Sequence, residues 1–212
     1  LVNMKFVVLV VFLGIAAFAK AELADDLNEF LELVPQKKVV QTALRYFTSD
    51  KEVRGFVKYL KQDEFKAAWV LVTEHEEVQK FVAYLQSKGV DVVPTLNKVA
   101  DFLHLPHFPN SGELRFGHDA AVYKKGKGLK GLVEDVLALL PFDKLEKLFK
   151  EKLESSADFK ELYDTVAGFN YEEVEKFVQE SKELTAVLTK LGGYGLDLEG
   201  YLKAVKDFFG WN

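Results

Sequence analysis

The feature that most constrains this chain is an internal duplication. The segment GVDVVPTLNKVADFL at residues 89–103 returns as GLDLEGYLKAVKDFF at residues 195–209, an offset of 106 residues. The same offset aligns residues 23–103 with residues 129–209 without a gap, which is 81 positions in each copy. Identities are few, but apolar positions correspond to apolar positions throughout. The repeat is longer than the units of roughly 20–50 residues that build solenoids, so a tandem duplication of a larger unit is predicted.

Within each copy, apolar residues recur at helical spacing. The first helix is predicted to end before Pro35, because the residue that precedes a proline avoids the helical conformation. Ser49 with Glu52, and Ser155 with Asp158 in the second copy, are predicted to form capping boxes that open the third helix of each copy.

The fourth segment of the first copy, FKAAWVLV at residues 65–72, is compatible with a buried strand. Its counterpart, YEEVEKFV at residues 171–178, has its apolar residues at helical spacing, so the duplication favours a helix in both. Gly89 is predicted to end the fifth helix and Asp91 to cap the sixth. The predicted fold is all-α, with two tandem repeats of about six short helices each.

The ends of the repeats define the predicted organisation of the chain. Residues 1–21 are predicted to be a signal peptide, because Lys5 precedes a short apolar run that ends in the small residues around Ala19 and Ala21. A retained N-terminal anchor is the alternative. Repeat 1 is predicted over residues 22–103, a linker over 104–128 and repeat 2 over 129–212, with one core shared by the repeats. The mature protein is therefore expected to be secreted.

Composition narrows the possible partners. A secreted protein can form disulfides, yet this chain has no cysteine, so its stability must come from burial of a core. Removing 21 of the 212 residues leaves 191, which is enough for such a core. A net charge of −5 argues against nucleic acid as a partner. We expect a monomer.

The linker contains three of the four histidines, His104, His107 and His118, but their spacing matches no zinc pattern. Solvated loop histidines are favoured over a metal site, and no metal is expected. Residues 126–131 read GKGLKG, which fits G-x-G-x-x-G, but no strand precedes them, so a dinucleotide site is not expected.

A basic cluster lies where the linker meets the second repeat. Its members are Lys124, Lys125, Lys127 and Lys130. Lysines at the start of a helix could contact anionic groups such as lipid phosphates, and a plain solvated linker is the alternative.

No catalytic motif occurs in the sequence. G-x-S-x-G, H-E-x-x-H and the P-loop are all missing, and the carboxylates alternate with lysines along helices, as at residues 146–152. A protein without enzymatic activity is therefore expected.

The paired endings, the repeat length, the leader and the lack of cysteine resemble the insect allergen-related repeat family, which includes the cockroach group 1 allergen and blood-meal-responsive midgut proteins of mosquitoes. The resemblance covers residues 22–211. It implies one helical shell around a large apolar cavity that holds fatty acids or phospholipid chains. For mosquito-type members it also implies secretion to the gut lumen or microvillar surface, and membrane disruption with lysis of cells.

The resemblance makes a bound lipid, rather than a cofactor, the expected ligand. A void of ~1,000 Å³ would cost on the order of 24 kcal/mol, more than the ~5–15 kcal/mol that stabilises a domain, so such a shell must be filled. The residues predicted to line it are Phe56, Phe81, Leu96, Phe102, Leu162, Leu188, Leu202 and Phe208. The four lysines of the linker are the predicted membrane contact. A helical module that binds another protein, without lipid, remains the alternative.

Overall fold

The computed structural model describes residues 22–109 and 127–211, and these residues form twelve α-helices and no β-strand. The first six helices are α1 (Glu22–Leu33), α2 (Gln36–Ser49), α3 (Lys51–Tyr59), α4 (Asp63–Glu74), α5 (Glu76–Ser87) and α6 (Val93–Leu103). The other six are α7 (Gly128–Leu137), α8 (Phe142–Ser155), α9 (Ala157–Ala167), α10 (Tyr171–Glu180), α11 (Lys182–Gly193) and α12 (Leu198–Phe209). The all-α prediction is confirmed, and residues 65–72 are helical.

The helix boundaries follow the sequence offset closely. Shifted by 106 residues, α2 coincides with α8 and α5 with α11, residue for residue. The other four pairs differ by no more than two residues at either end. Gly89 and Gly195, which end the fifth and eleventh helices, have φ angles of 76° and 78°. This left-handed conformation is the one predicted for Gly89, and glycine adopts it without steric cost.

The predicted capping boxes are wrong by one residue. The N-cap of α3 is Asp50, whose carboxylate accepts from the backbone N–H groups of Glu52 and Val53. The N-cap of α9 is Ser156. Ser49 and Ser155 instead end the preceding helices, and each hydroxyl donates to the carbonyl four residues earlier. The physical reason is that α2 and α8 continue one residue further than the pattern indicated.

The start of α6 is also shifted. Val92, not Asp91, is its N-cap. The Asp91 carboxylate still accepts from the backbone N–H of Val93, at 3.3 Å.

The main hydrophobic core draws on both halves of the chain. From the first half come the apolar face of α1, with Leu23, Leu27 and Phe30, and residues of α5. From the second half come residues of α8 and α9, and Phe159 stacks on Phe30 with ring centroids 5.4 Å apart. A smaller cluster around Ala100 lies between α6 and the α3–α4 region.

The first helix of each half packs on the other half. Helix α1 contacts α8 and α9, and α7, its counterpart at the offset of 106, contacts α2 and α3. The two sets of contacts correspond, because the offset of 106 residues relates α1 to α7, α2 to α8 and α3 to α9. The two halves therefore exchange their first helices, which explains why the main core contains residues from both.

A polar contact accompanies each exchanged helix, at corresponding positions. The Tyr46 hydroxyl on α2 donates to the Asp135 carboxylate on α7 at 2.8 Å. The corresponding positions, Lys152 on α8 and Glu29 on α1, form an ion pair at 2.6 Å, and Lys152 also pairs with Asp26 at 2.7 Å. Burial lowers the pKa of Lys152, but its hydrogen bonds to the two carboxylates outweigh burial and raise it.

Asp50 connects two helices from opposite halves. While one carboxylate oxygen caps α3, the other accepts from the backbone N–H of Gly128 at 2.9 Å. Glu52 accepts from the next amide, that of Leu129, at 2.7 Å. Burial favours a raised pKa for Asp50, but the three backbone N–H groups outweigh it and hold the pKa below its usual range.

The first residues of the predicted linker belong to the packed structure. Phe108 is buried in the main core, and its backbone N–H donates to the buried Asn97 side chain at 2.8 Å. The indole N–H of Trp69 donates to the carbonyl of Pro106 at 2.9 Å. Residues 105–108 are thus anchored against α4 and α6, whereas residues 110–126 and the predicted signal peptide lie outside the described residues.

Candidate ligand-binding site

An apolar cavity of about 410 Å³ lies between two helical hairpins, α4–α5 and α10–α11. The first hairpin contributes Val72, Val78 and Phe81. The second contributes Val174, Phe177, Val178 and Leu184, and Phe169 precedes it. The volume falls in the range of roughly 300–1,000 Å³ that small-molecule sites occupy.

The cavity is built from corresponding parts of the two halves. Val72 and Val178 are related by the offset of 106 residues, and so are Val78 and Leu184. Each residue lies at the same place on its own hairpin, so the cavity lies where the two halves meet. Val174 is 43% exposed and Val72 is 36% exposed, so the cavity opens to the surface.

Aromatic rings form much of the wall. Phe81 and Phe169 make an edge-to-face contact with centroids 5.3 Å apart. The imidazole of His75 lies against Phe177, with centroids 4.2 Å apart. Such contacts fix the rings in place, so the wall is preorganised rather than assembled by the ligand.

Two helix N-termini meet at the rim of the cavity. His75 is the N-cap of α5, and its Nδ1 accepts from the backbone N–H of Glu77 at 3.3 Å. Asn170 is the N-cap of α10, and its side-chain oxygen accepts from the backbone N–H of Glu173 at 3.3 Å. Because Nδ1 of His75 is an acceptor, the neutral ring carries its proton on Nε2.

The charged groups at the rim are acidic. Glu77 and Glu173 line the cavity, and among residues 22–109 and 127–211 no lysine or arginine does. Lys80, one turn into α5, pairs with Glu76 at 2.7 Å and with Glu77 at 2.9 Å. The hydrogen bond from Lys80 lowers the pKa of Glu76, and those from both carboxylates raise that of Lys80. Glu173 forms no ion pair with another residue of the described part of the chain.

Comparison with known proteins places this architecture in a family. A family model described as insect allergen related repeat, nitrile-specifier detoxification, matches residues 22–202. The chain belongs to the insect allergen-related repeat family. The chain is also similar to Protein G12 of the mosquito Anopheles gambiae, with 36% identity over 191 residues that cover 90% of this chain and 88% of that protein. The family prediction made from the paired endings is confirmed.

The eight residues predicted to line a lipid cavity in this family member have different surroundings. Phe81 lines the cavity described above. Leu162 is buried in the main core, and Leu96 and Phe208 pack against that core. Phe56 makes an edge-to-face contact with Tyr194 at 5.4 Å.

The other three predicted residues are largely exposed. Phe102 is 51% exposed, Leu188 is 41% exposed and Leu202 is 45% exposed. Phe102 also contacts Phe47, and the ammonium group of Lys61 lies 4.7 Å from the centre of its ring. These apolar side chains are accessible on α6, α11 and α12, outside the 410 Å³ cavity.

Sequence reasoning missed most of the cavity wall. The sequence analysis predicts no functional role for Val72, Phe177, Val178 or Leu184. One signal was available, because Val72 and Val178 are apolar in both copies of the segment that also resembled a strand. An apolar helix face that is wider than one neighbouring helix can cover indicates that part of the face has another role. Here that part lines the cavity.

The basic cluster of this family member lies at a helix start that is already occupied. Lys127 is the N-cap of α7, and Lys130 lies in its first turn, 3.9 Å from Glu134. The amides of the first two residues of α7 donate to Asp50 and Glu52, so these two amides do not face an external anion. Lys124 and Lys125 lie outside the described residues.

Two linker histidines have defined surroundings. His104 ends α6 in the left-handed conformation, with φ of 57°. His107 is half-buried and its Nε2 lies 2.8 Å from the Asp101 carboxylate, so it is not the solvated side chain that was expected. His118 lies outside the described residues. Within residues 22–109 and 127–211 no three histidine or acidic residues converge in a way that could hold a metal ion.

A second groove, of about 760 Å³, lies on the other side of α11. Its walls include the oppositely charged residues Glu64, Glu180, Lys182 and Lys190. Although this groove is larger, its charges are of both signs and it has few apolar residues, so it offers a ligand less burial than the apolar cavity.

Among the described helices, none combines the length and the apolar character needed to cross a membrane.

Proposed function

We propose that the protein is a secreted, non-enzymatic lipid carrier in which two tandem six-helix repeats form one shell. The observation that carries the proposal is the preformed apolar cavity between the α4–α5 and α10–α11 hairpins. Among the described residues, eight apolar ones line it, and their side chains are partly accessible. Acyl chains of fatty acids or phospholipids are the proposed cargo.

The exchange of first helices supports the shell. Since α1 packs on α8 and α9 while α7 packs on α2 and α3, neither half has a complete core alone. The two hairpins also contact each other directly, since α4 packs on α11 beside the cavity. The accessible apolar residues Phe102, Leu188 and Leu202 are proposed to contact further parts of the cargo.

Burial of the tail is the main favourable contribution to binding. A buried CH₂ group contributes about 0.8 kcal/mol, so about eight methylenes contribute about 6 kcal/mol, from which the cost of immobilising the ligand is subtracted. At a free ligand concentration of about 100 Kd, mass action adds about 2.7 kcal/mol of stability. For a chain of this size that raises Tm by about 5–10 °C.

The first experiment is removal and return of lipid. The protein is purified without detergent, its lipids are extracted and identified by mass spectrometry, and Tm is measured before and after delipidation and after fatty acid is added back. The proposal predicts bound lipid, a lower Tm for the delipidated protein and its recovery. No lipid in the extract together with an unchanged Tm would instead favour a helical module that binds another protein.

The proposal extends to membranes, on which the protein would act by exchanging lipid. Lys127 and Lys130 are exposed near the start of α7, and a lysine near an anionic surface contributes about 1 kcal/mol. Dye leakage from liposomes and lysis of red cells are measured for protein loaded with different lipids. Leakage that changes with the cargo supports exchange, whereas leakage that ignores cargo contradicts it.

The role of the basic cluster is tested separately. In the variant in which Lys124, Lys125, Lys127 and Lys130 are all replaced by Gln, leakage from anionic liposomes is expected to fall. Leakage equal to that of the parent protein would exclude the cluster as the membrane contact while leaving the carrier proposal intact.

A further inference from the structure

An exposed apolar surface lies on α2 and continues onto α6. Val40 and Leu44 lie one turn apart on α2, and each is 55% exposed. Phe47, one turn further along the same side of α2, contacts the exposed Phe102 of α6 with ring centroids 6.2 Å apart. The exposed Val99 lies one turn before Phe102. Residues three and four apart share one side of a helix, so these five side chains form one surface, the α2–α6 face.

Three lysines flank the α2–α6 face. Lys37 lies one turn before Val40 on the same side of α2, and Lys98 lies one turn before Phe102 on α6. The ammonium group of Lys61 lies 4.7 Å from the centre of the Phe102 ring. All three lysines are exposed, and none forms an ion pair with another residue of the described part of the chain. The face therefore combines apolar side chains with accessible ammonium groups.

The helices that carry most of this face are basic. Residues 36–62, which span α2, α3 and the turn after them, contain seven lysines and arginines and two acidic residues, so their net charge is +5 in a chain whose net charge is −5. The two acidic residues, Asp50 and Glu52, accept from amides at the start of α7. Of the seven cations, Arg45 pairs with Asp135 of α7.

Two carboxylates lie within two residues of the face in the sequence. Asp101, on α6, is half-buried and lies 2.8 Å from Nε2 of His107. Asp63 is exposed in the first turn of α4, two residues after Lys61. Even when both are counted against the three flanking lysines, the face is net positive.

The corresponding surface of the second half has a different character. At the offset of 106 residues, Val40 and Leu44 correspond to Glu146 and Lys150, which form an ion pair at 2.8 Å. Residues 142–168, the counterpart of residues 36–62, have a net charge of −2. The three flanking lysines correspond to residues without positive charge, namely Asp143, Ala167 and Ala204. The apolar and basic combination is therefore specific to the first half, although both halves have the same helices.

An anionic membrane surface matches this combination better than an acidic protein does. Protein–protein interfaces are depleted in lysine, whereas anionic lipid head groups attract lysines. The long stem of a lysine lets its ammonium group stay at the head groups while neighbouring apolar side chains enter the acyl boundary. Helices that lie in the membrane interface have this arrangement of lysines and apolar residues.

We infer that the α2–α6 face docks the protein on anionic lipid membranes. The inference rests on the membrane part of the proposed function and adds a contact apart from the basic cluster of α7. Tyr46, which contacts α7, is two residues from Leu44 and lies on the opposite side of α2. Phe102, proposed above to contact cargo, meets the acyl chain as it passes between membrane and protein.

The first test measures cosedimentation of the full-length protein with vesicles. The protein is expected to bind phosphatidylcholine vesicles that contain about 30% phosphatidylserine at least about tenfold more tightly than vesicles of phosphatidylcholine alone. Each lysine at such a surface strengthens binding about fivefold, so replacing Lys37, Lys61 and Lys98 together by Gln should weaken it about 100-fold. Replacing Lys144, Lys147 and Lys182 by Gln removes the same charge from the second half and should weaken binding less than about threefold.

A charge-neutral exchange tests the apolar part of the face. Val40→Glu with Leu44→Lys introduces the residues of the second half and should weaken binding to the anionic vesicles at least about tenfold. The reverse exchange, Glu146→Val with Lys150→Leu, should leave binding within about twofold, because that surface has no flanking lysines. Each of these variants changes exposed or half-exposed positions, and a Tm close to that of the parent protein shows that its fold is intact.

Single-cysteine labelling shows which face meets the membrane. The chain has no cysteine, so Leu44→Cys carries one environment-sensitive fluorophore, and Lys150→Cys carries it at the corresponding position of the second half. Anionic vesicles are expected to shift the emission of the label at position 44 to shorter wavelength and to leave that at position 150 unchanged.

The outcomes separate this inference from the proposed function. No binding to anionic vesicles, equal shifts of the two labels, or binding that is lost only when the basic cluster of α7 is replaced overturns the inference, and the carrier function stands if lipid is extracted from the native protein. Vesicle binding through the α2–α6 face without dye leakage supports the inference and contradicts lipid exchange. Vesicle binding through this face by a protein that contains no lipid supports it while the carrier function fails.

Discussion

Replacing Asp50 tests how the two halves hold each other. Its carboxylate accepts from Glu52 and Val53 at the start of α3 and from Gly128 at the start of α7. Asp50→Ala removes both caps. Asp50→Asn keeps an oxygen that can cap α3, because asparagine caps as well as aspartate, but presents an NH₂ group to the amide of Gly128.

The magnitudes follow from the number of donors that lose their acceptor. Loss of an N-cap costs about 1 kcal/mol, and a buried N–H left without a partner costs about 1–3 kcal/mol. Asp50→Ala is therefore expected to destabilise the protein by about 2–4 kcal/mol, and Asp50→Asn by about 1–3 kcal/mol. Ser156→Ala is the matched control, because Ser156 occupies the corresponding position but caps α9 alone, through Phe159, and should cost about 1 kcal/mol.

Urea unfolding followed by circular dichroism measures these differences. At about 2–4 °C of Tm per kcal/mol for a chain of this size, Asp50→Ala should lower Tm by about 4–16 °C. The urea midpoint should fall without a change in m value if the transition remains two-state. The reasoning is refuted if Asp50→Ala is no more destabilising than Ser156→Ala, since the link from Asp50 to α7 would then contribute nothing.

Three further predictions concern the pH dependence of Asp50, the buried ion pair and the cavity. The pKa of Asp50 is lowered in the folded state. The stabilisation from its carboxylate is therefore present above the unfolded pKa near 3.9 and is lost as the pH falls through the lower folded pKa. Below about pH 4 the unfolding free energy of Asp50→Asn should fall less steeply than that of the parent protein, and equal slopes would contradict this. Lys152→Met leaves Asp26 buried without its partner and should lower the unfolding free energy in urea by about 3–5 kcal/mol. Tyr46→Phe at the corresponding contact should lower it by about 1 kcal/mol, and similar losses for the two variants would show that the buried ion pair costs no more to break than the neutral hydrogen bond. Val174→Trp fills the cavity from a partly exposed position, so it should abolish binding of a dodecyl probe while changing Tm by only a few degrees. Val174→Leu should retain binding, and full binding by Val174→Trp would place the ligand elsewhere.

The duplication made most of the fold predictable. Residues 65–72 alone fit a strand or a helix, and their counterpart at residues 171–178 decided for the helix that the structure contains. The family was predictable for the same reason, because the paired endings are a sequence pattern. The exchange of first helices was not predictable, because both copies have the same periodicity whether α1 packs on its own half or on the other.

The predicted N-cap of the third helix was wrong by one residue in each copy. The spacing of Ser49 and Glu52 satisfies a capping box, but the neighbouring Asp50 is a stronger acceptor because its carboxylate is charged and serves three amides. The amide of Gly128 is 78 residues away in sequence, so no local pattern could include it. The long-range contact accounts for Asp50 alone. Ser156 caps α9 through Phe159 without such a contact, so the shift common to both copies follows from the additional residue of α2 and α8.

For the candidate site, only the apolar character of its lining residues could be predicted from the sequence. Helical periodicity identifies an apolar face, and Phe81 and Leu162 are equally apolar by that criterion. The structure separates them, since Phe81 lines the cavity and Leu162 is buried in the main core. Which part of an apolar face is covered depends on the neighbouring hairpin.

Photo-cross-linking tests the central claim, that the cavity between the two hairpins holds the ligand, most directly. A dodecyl probe with a diazirine at the end of its tail is bound to the delipidated protein and activated, and the modified residues are mapped by mass spectrometry. The account predicts adducts on α5 and α10, at residues around Val78 and Phe177, and their suppression by Val174→Trp. Adducts confined to α6 and α12, around Phe102 and Leu202, or adducts that persist in Val174→Trp, would contradict it.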